Sequence, residues 1–315
     1  MTTPALTRRH ALISAAALPL AAGLSALSGT PARARAELQG ASFPMHSRFR
    51  LGAFEVTALL AGTRSSDKPQ ETFGTNAPPE EFATLSEANF IPADRTQNFF
   101  TPTLVNTGAE LVLFDTGLAA DGTLAALTAA GIAPDQVDVV VLTHMHGEHI
   151  GGLMGADGVT PTFANARYVT GGVEHSYWSG AANEGFDKNV RPLNDKFSFL
   201  DGGGSPVPGI TAMEAFGHSP GHMIYMVESD GQRLAITADT ANHYVWSLQK
   251  PDWEVRFDAD KSAAAAARKA VFGMIAADRI PFIGYHMPFP ALGYVEPLGD
   301  GFRFVAASYQ MMLNG

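Results

Sequence analysis

Three histidines and one glutamate fall within six residues of this sequence, in the segment T-H-M-H-G-E-H-I-G-G at residues 143–152. These side chains, His144, His146, Glu148 and His149, all carry atoms that bind metal ions. Burying them so close together would cost a great deal of free energy unless a cation paired with them. Imidazole and carboxylate suit a divalent ion, zinc first, with iron, manganese or cobalt as alternatives. A solvated histidine-rich loop is the other interpretation, and ligand-type residues further along the chain weigh against it.

The residues that could join this segment stand where apolar strands are predicted to end. An apolar, β-branched run at residues 137–142 predicts a buried strand directly before the first histidine. Similar runs end at or just before Asp115, Asp239 and His286, and another run precedes a G-H-S-P-G-H segment. Ligand-type residues at the ends of separate strands indicate one folded site.

The spacing H-x-H-x-E-H after a strand, followed by Gly-Gly, resembles the signature of the metallo-β-lactamase superfamily, which usually reads H-x-H-x-D-H. Within that superfamily the chain is most similar to the methyl parathion hydrolase group, which also contains aryl-lactone and ester hydrolases. The similarity spans residues 49–310 and includes F-R-L-G-A-F-E-V-T-A-L, L-V-N-T-G and H-M-P-F-P-A-L-G. It implies an α/β fold, the four-layer αβ/βα sandwich with two mixed β-sheets.

The resemblance also implies a centre of two divalent metal ions, with zinc expected. The ligands of the first metal would be three histidines: His144, His146 and His222. The ligands of the second metal would be two histidines and a carboxylate: Glu148, His149 and His286. Asp239 would bridge the two metals together with a water or hydroxide.

Two further residues have supporting roles under the same resemblance. Asp115, in the D-T-G motif, would orient the metal loop through hydrogen bonds without binding metal. His218 would be a supporting or solvent-side residue.

Glu148 keeps the charge of the usual aspartate but adds a methylene. Three outcomes follow for it: an intact two-metal site with adjusted geometry, an altered metal preference, or a weakened second site.

The implied chemistry is metal-assisted hydrolysis. Two divalent ions lower the pKa of a bridging water far enough to supply hydroxide near neutral pH. Asp239 and Glu148 would then be the catalytic carboxylates, and the sequence offers no convincing nucleophilic serine. A degenerate metal- or ligand-binding member with an impaired second site, and a mononuclear iron oxygenase, are the competing hypotheses.

The predicted substrate is a neutral, apolar ester, lactone or organophosphate triester. Aromatic content and the resemblance together select the candidate pocket residues: Phe100, Trp178, Phe186, Asn242 and Phe289. Lactonases that open acyl-homoserine lactones carry a tyrosine three residues after the bridging aspartate, where this chain has Asn242. That difference weakens the acyl-homoserine lactonase alternative without excluding it.

Composition excludes several classes of partner and site. The 315 residues suffice for a large core, and the absence of cysteine excludes disulfides and thiolate metal ligands. Residues 1–36 contain four of the 21 Lys and Arg and none of the 31 Asp and Glu, so removing them changes the formal charge from −10 to −14. A chain this acidic is a poor partner for nucleic acid or an anionic membrane. We expect a small-molecule substrate, and the resemblance allows a homodimer.

The first 36 residues resemble a twin-arginine signal peptide. T-R-R-H-A-L-I is followed by an apolar segment at residues 11–27 and by A-R-A at residues 34–36. We expect cleavage and export by the twin-arginine route to the periplasm or the medium, without a remaining membrane anchor. Residues 37–315 would then form a single hydrolase domain.

Patterns of apolar and turn-forming residues predict the remaining elements. Residues 49–60 predict one opening strand, and residues 62–95 predict a polar excursion with one short helix. Residues 158–170 predict a strand pair, and residues 173–195 predict an aromatic loop region. An alanine-rich run with a polar start predicts a helix at residues 258–278.

Overall fold

The computed structural model describes residues 37–313 of the chain. The predicted twin-arginine leader, residues 1–36, lies outside this range, and its cleavage stays a prediction. The strands and helices of the described residues all belong to the unit that begins at Phe43. In the described part of the chain, no helix combines the length and the apolar character needed to cross a membrane.

The larger sheet has seven strands, and the histidine-rich segment directly follows one of its inner strands. Its strands, in spatial order, are β1 (His46–Leu51), β2 (Phe54–Leu59), β5 (Thr103–Asn106), β6 (Leu111–Phe114), β7 (Val139–Leu142), β8 (Arg167–Gly171) and β9 (Phe197–Leu200). The first four strands pair antiparallel. Strands β6 to β9 pair parallel, so the sheet is mixed.

The second sheet has six strands and is also mixed. Its strands are β10 (Ile210–Glu214), β11 (Met223–Ser229), β12 (Gln232–Ala238), β13 (Phe282–Gly284), β14 (Leu292–Leu298) and β15 (Gly301–Ala306), in that order. Only the β12–β13 pair is parallel. A separate two-stranded antiparallel sheet contains β3 (Gly62–Asp67) and β4 (Arg95–Phe100).

Within residues 37–313, seven α-helices connect or cover the sheets. They are α1 (Pro79–Ala88), α2 (Ala120–Ala129), α3 (Gly147–Ile150), α4 (Gly172–Gly180), α5 (Glu184–Asn189), α6 (Trp246–Gln249) and α7 (Lys261–Ala277). The side chain of Asp260 accepts a hydrogen bond from the main-chain N–H of Ala263 and begins α7, one turn later than the sequence predicted.

Strand β7 shows why the layers form. All four of its residues are buried, and successive side chains point to opposite faces of the sheet. Val139 and Val141 join the core between the two sheets, together with Tyr225 of the second sheet. Val140 lies in a second core on the outer face of the first sheet, which includes residues of α2 and α5.

Helix α7 supplies the outer layer of the second sheet, where its Val271 packs with Ile224 of β11. The result is a helix–sheet–sheet–helix arrangement. The predicted fold class, an α/β four-layer sandwich with two mixed sheets, is therefore confirmed.

Several predicted elements differ from the structure. Residues 49–60 form the β1–β2 hairpin rather than one strand, because the chain turns at Gly52. This glycine has φ +60°, and a Cβ there would lie 2.4 Å from the carbonyl oxygen of Ser229. Residues 62–95 contain β3 beside the expected helix, residues 158–170 supply only β8, and residues 173–195 form α4 and α5. The helices there bury few residues each, which gives a weak periodic signal.

Candidate metal centre

The candidate residues lie in connections at one edge of the two sheets. Asp115 directly follows β6, and the histidine-rich segment directly follows β7. Asp239 directly follows β12, and His286 stands just beyond β13. Since β6 and β7 are parallel to each other, as are β12 and β13, each pair brings its carboxyl ends to the same edge.

The ligand-type side chains form two groups, in each of which the ligand atoms all lie within 4.8 Å of one another. The first group contains three histidines: His144, His146 and His218. The second group contains two histidines and two carboxylates: Glu148, His149, Asp239 and His286. The structure thus brings together six of the seven residues that the sequence predicted as ligands.

The seventh predicted ligand was His222, but the structure groups His218 with His144 and His146, and His222 lies in neither group. Nε2 of His218 lies 3.0 Å from Nδ1 of His146. Nε2 of His222 instead accepts a hydrogen bond of 3.2 Å from the main-chain N–H of Asp239. Both histidines are buried, and the backbone of the turn between them brings the ring of His218 to His146 and that of His222 to the main chain of Asp239.

Asp239 belongs to the second group and also lies close to the first. Its Oδ2 is 3.3 Å from Nε2 of His218 in the first group and 3.0 Å from Nε2 of His286 in the second. Its Oδ1 is 3.3 Å from Nε2 of His149. Asn242 donates from Nδ2 to the same Oδ2 at 3.0 Å and so fixes the orientation of the carboxylate.

Buried acceptors hold the second nitrogen of the histidine rings. Oδ2 of Asp115 is 2.8 Å from Nδ1 of His149, which is the supporting place that the sequence predicted for Asp115. Asp258 does the same for His218, with Oδ1 2.8 Å from its Nδ1. The sequence analysis missed Asp258, because it stands 40 residues from His218 and looks like an ordinary helix start. Such partners orient histidine ligands and set their tautomer.

A cavity of about 420 Å³ opens onto both groups. Its lining includes His146, His218, Glu148, Asp239 and His286. Phe73, Phe100, Leu118 and Phe257 supply apolar walls. Charges of both signs also line the cavity, the basic ones from Arg64, Lys68 and Arg256 and the acidic ones from Asp67 and Glu71. The lining is more polar than the predicted apolar pocket, because β3 and the residues after it form one wall.

Two of the five predicted pocket residues, Phe100 and Asn242, line this cavity. Phe186 does not, because it is fully buried in the core on the outer face of the first sheet. Trp178 lies behind His146, with ring centroids 5.8 Å apart. Phe289 is partly buried and is not among the residues that line the cavity.

The sequence also matches a known family over much of its length. The model of the Metallo-beta-lactamase superfamily matches residues 101–281, which is more than half of the chain. The protein belongs to the metallo-beta-lactamase superfamily. No curated protein sequence matches the chain.

Solved structures of this superfamily share the fold at low sequence identity. AidC, a dizinc quorum-quenching lactonase in complex with the product N-hexanoyl-L-homoserine, is 23% identical, with a TM-score of 0.78 over 84% of this chain and 98% of its own. The hydrolase AbOPH is 22% identical, with a TM-score of 0.78 over 86% of this chain and 100% of its own. An N-acyl homoserine lactone hydrolase with that product bound at its catalytic metal centre is 17% identical, with a TM-score of 0.57 over 74% of this chain and 92% of its own.

The electrostatics of this superfamily site separate its histidines into two kinds. Burial, together with neighbouring imidazoles, lowers the pKa of His144 well below its usual value and that of His146 to about 4. Burial alone would also lower the pKa of His149, but the charges of Asp239 and Asp115 raise it to about 10. Burial opposes ionisation of Asp239 as well, yet His286 and His149 hold its pKa well below the ordinary range. The site therefore favours neutral His144 and His146, and it pairs the Asp239 anion with a protonated His149.

The residues present fit divalent metal ions. His149 Nε2 and Asp239 Oδ1 are buried and have no hydrogen-bond partner, although they face each other at 3.3 Å. Unpartnered buried polar atoms are costly, and a cation between them would satisfy both. The donor atoms are imidazole nitrogens and carboxylate oxygens, which zinc binds readily.

Glu148, the departure from the usual superfamily signature, belongs to the second group as it stands. One of its carboxylate oxygens lies within 4.8 Å of the ligand atoms of His149, Asp239 and His286. Burial alone would raise the pKa of Glu148, but the charges of His149 and His286 lower it. Tyr285 donates from its hydroxyl to the main-chain carbonyl of Glu148 and fixes the backbone there. The extra methylene therefore leaves the carboxylate within reach of the group.

Proposed function

We propose that the protein is a two-metal hydrolase that cleaves an ester, a lactone or an organophosphate triester. The observation that carries the proposal is Asp239, whose Oδ2 lies near His218 of one group and His286 of the other. A carboxylate in that position can serve two metal ions at once. The first metal would be held by His144, His146 and His218, and the second by Glu148, His149 and His286. The dizinc description of AidC supports zinc as the ion.

The ions would act as Lewis acids and lower the pKa of a water molecule, which supplies hydroxide near neutral pH. The protein's own residues prepare the site for that chemistry. Asp115 and Asp258 keep His149 and His218 in fixed orientations, and Asn242 does so for Asp239. Fixed ligands need no reorganisation during the reaction.

A serine nucleophile fits the geometry poorly. Ser219 stands in the segment G-H-S-P-G, which formally matches a nucleophile elbow. Its Oγ, however, is buried and donates to Glu174 at 2.7 Å. The segment also connects two strands, β10 and β11, and not a strand and a helix.

The cavity supports a substrate with an aromatic or apolar body and an acidic leaving group. Phe100, Leu118 and Phe257 offer apolar walls beside the metal-ligand groups. Asn242 occupies the position of the tyrosine that assists the leaving group in acyl-homoserine lactonases, and an amide has no proton to give at neutral pH. A leaving group that departs as a stable anion, such as an aryl oxide, needs no such proton.

Acyl-homoserine lactones are the second candidate substrate. AidC, described as a quorum-quenching lactonase, and the second lactone hydrolase with bound product both share the fold. The charged side chains of Arg64 and Arg256 on the cavity wall would suit the polar lactone head group better than a purely apolar pocket would. Asn242 remains the residue that argues against this candidate.

The test is one panel of initial rates, with and without prior chelation. It contains an aryl ester, an aryl lactone, an acyl-homoserine lactone, a methyl phosphotriester and a β-lactam. We expect hydrolysis of the aryl ester and the aryl lactone, its loss on chelation, and its recovery when zinc is added back.

Two variants control this panel. Asp239→Ala should lower the rates by more than about 100-fold, because it removes a shared ligand, whereas the exposed Asp201→Ala should leave them unchanged. Full activity of Asp239→Ala, or hydrolysis that chelation does not affect, would overturn the proposal. No hydrolysis by metal-replete protein would favour the ligand-binding hypothesis, and oxygen consumption with bound iron would favour the oxygenase.

A further inference from the structure

Glu174, on the first turn of α4, is a fully buried carboxylate outside both metal-ligand groups. An ionisable side chain with no exposure to solvent is costly to fold unless all its oxygen atoms find donors. The position has no basic partner among the ion pairs of the described residues. Hydrogen bonds from neighbouring residues must therefore offset the cost of burying this carboxylate.

Four hydrogen bonds converge on this carboxylate. Oε1 accepts from the main-chain N–H of Met145 at 3.0 Å and from Nε1 of Trp178 at 2.7 Å. Oε2 accepts from Oγ of Ser219 at 2.7 Å and from the main-chain N–H of Gly221 at 2.8 Å. All four partners donate, which is the pattern that an ionised carboxylate satisfies and a neutral amide does not.

These donors belong to the two chain segments that present the first metal-ligand group. Met145 stands between His144 and His146, and Ser219 directly follows His218. One carboxylate thus accepts main-chain hydrogen bonds from two segments that are about 75 residues apart in sequence. None of the four bonds reaches the loops of Asp239 or His286.

The turn of the G-H-S-P-G-H segment, residues 217–222, packs closely against Glu174. A Cβ at position 221 would lie 2.2 Å from the main-chain nitrogen of Glu174 and 2.7 Å from its Cα. Only glycine allows this approach, and the approach brings the N–H of Gly221 to the carboxylate. The close packing of Gly221 against the backbone of Glu174, and the four hydrogen bonds to the Glu174 carboxylate, both indicate a specific contact between α4 and this turn.

We propose that Glu174 is a positioning residue for the first metal-ligand group, setting the separation between the loop of His144 and His146 and the loop of His218. The inference rests on the proposed two-metal function. Its physical reason is that ligand orientation by outer hydrogen bonds contributes roughly 10- to 100-fold in metal affinity. Because the bonds reach only the first group, the effect should be confined to that group.

The experiment measures zinc affinity, separately for each group, by competition with a chromophoric chelator. In a His286→Ala background the first group is left to bind, and in a His144→Ala background the second group is left. Glu174→Gln keeps the size of the side chain but turns an NH₂ group toward one pair of donors. We expect it to weaken zinc binding roughly 10- to 100-fold in the first background and less than about 2-fold in the second.

Three further variants test the same role of Glu174. Glu184→Gln, an exposed glutamate on the next helix, should change neither affinity. Glu174→Asp keeps an acceptor-only carboxylate and should recover part of the loss. Trp178→Phe removes one donor of the four and should give a smaller, first-group loss even if Glu174→Gln fails to fold.

The outcomes separate this inference from the proposed function. If the unaltered protein binds fewer than two zinc ions, the two-metal function fails. If it binds two, and Glu174→Gln leaves the first affinity unchanged or lowers both affinities equally, the positioning role of Glu174 is overturned.

Discussion

At the scale of single residues, Glu148 decides whether this protein has a complete second metal-ligand group. The superfamily signature has an aspartate at this position, and the added methylene of Glu148 raised the prospect of a weakened site. In the structure the carboxylate still reaches the ligand atoms of His149 and His286. The short helix α3 and the hydrogen bond from Tyr285 hold the backbone so that the longer side chain stays within the group.

A first prediction follows from this placement. Glu148→Ala should lower the zinc affinity of the second group by roughly 10- to 100-fold, because it removes a carboxylate and leaves His149 and His286 with one shared anion. The affinity of the first group should not change. Competition titration in the His144→Ala background measures the effect, and Glu148→Asp, which restores the usual signature, is the matched control. Equal affinities of Glu148→Ala and the parent would show that Glu148 does not bind metal.

At the scale of secondary-structure elements, helix α7 ties the site to the second sheet through Arg268. Its guanidinium is almost fully buried and donates to the carbonyl oxygens of Thr240 and Pro251 and to Oδ2 of Asp258. Asp258 in turn holds His218, and Thr240 follows Asp239. One helix thus supports two candidate ligands, His218 and Asp239, through the residues that adjoin them.

The second prediction concerns the stability that this helix contributes. Arg268→Ala should lower the free energy of unfolding by about 3–5 kcal/mol, because it leaves Asp258 and two carbonyl groups buried without their donor. Lys269→Ala, next along the helix, removes only a half-exposed ion pair with Asp252 and should cost about 0–1 kcal/mol. Urea denaturation of the metal-free proteins compares the two. Similar losses for both variants would contradict the supporting role of Arg268.

At the scale of the whole molecule, the two groups join separate parts of the fold. The first sheet supplies His144, His146 and His149, while the second supplies His218, Asp239 and His286. Ions held between them would link the two sheets at one edge. A ligand that binds only the folded state stabilises that state by mass action.

The third prediction is a metal-dependent melting temperature. Free zinc at 100 times its dissociation constant should stabilise the fold by about 2.7 kcal/mol for each site that it fills, and chelation should therefore lower the melting temperature by roughly 5 °C per site. Scanning calorimetry with and without chelator measures the difference. Asp239→Ala should show a smaller shift, and an unchanged melting temperature in the parent protein would argue against metal ions between the sheets.

The sequence by itself determined the parts of this protein that depend on neighbours along the chain. The buried strand β7 and the four ligand-type residues after it are local, because the four residues fall within six consecutive positions directly after the strand. Asp115, Asp239 and His286 were also predictable, since each follows an apolar strand. The superfamily and its four-layer fold followed from these motifs.

Only the tertiary structure decided what depends on how distant segments meet. The G-H-S-P-G-H segment offers His218 and His222 equally, and the direction of its turn against Glu174 selects His218. Asp258, Glu174 and the polar cavity wall around Arg64 gave no local signal. Their roles arise from contacts between segments far apart in sequence, such as the 29 residues between Met145 and Glu174 and the 40 between His218 and Asp258. The periodicity of apolar side chains carries no information about which distant loop a buried polar side chain will meet.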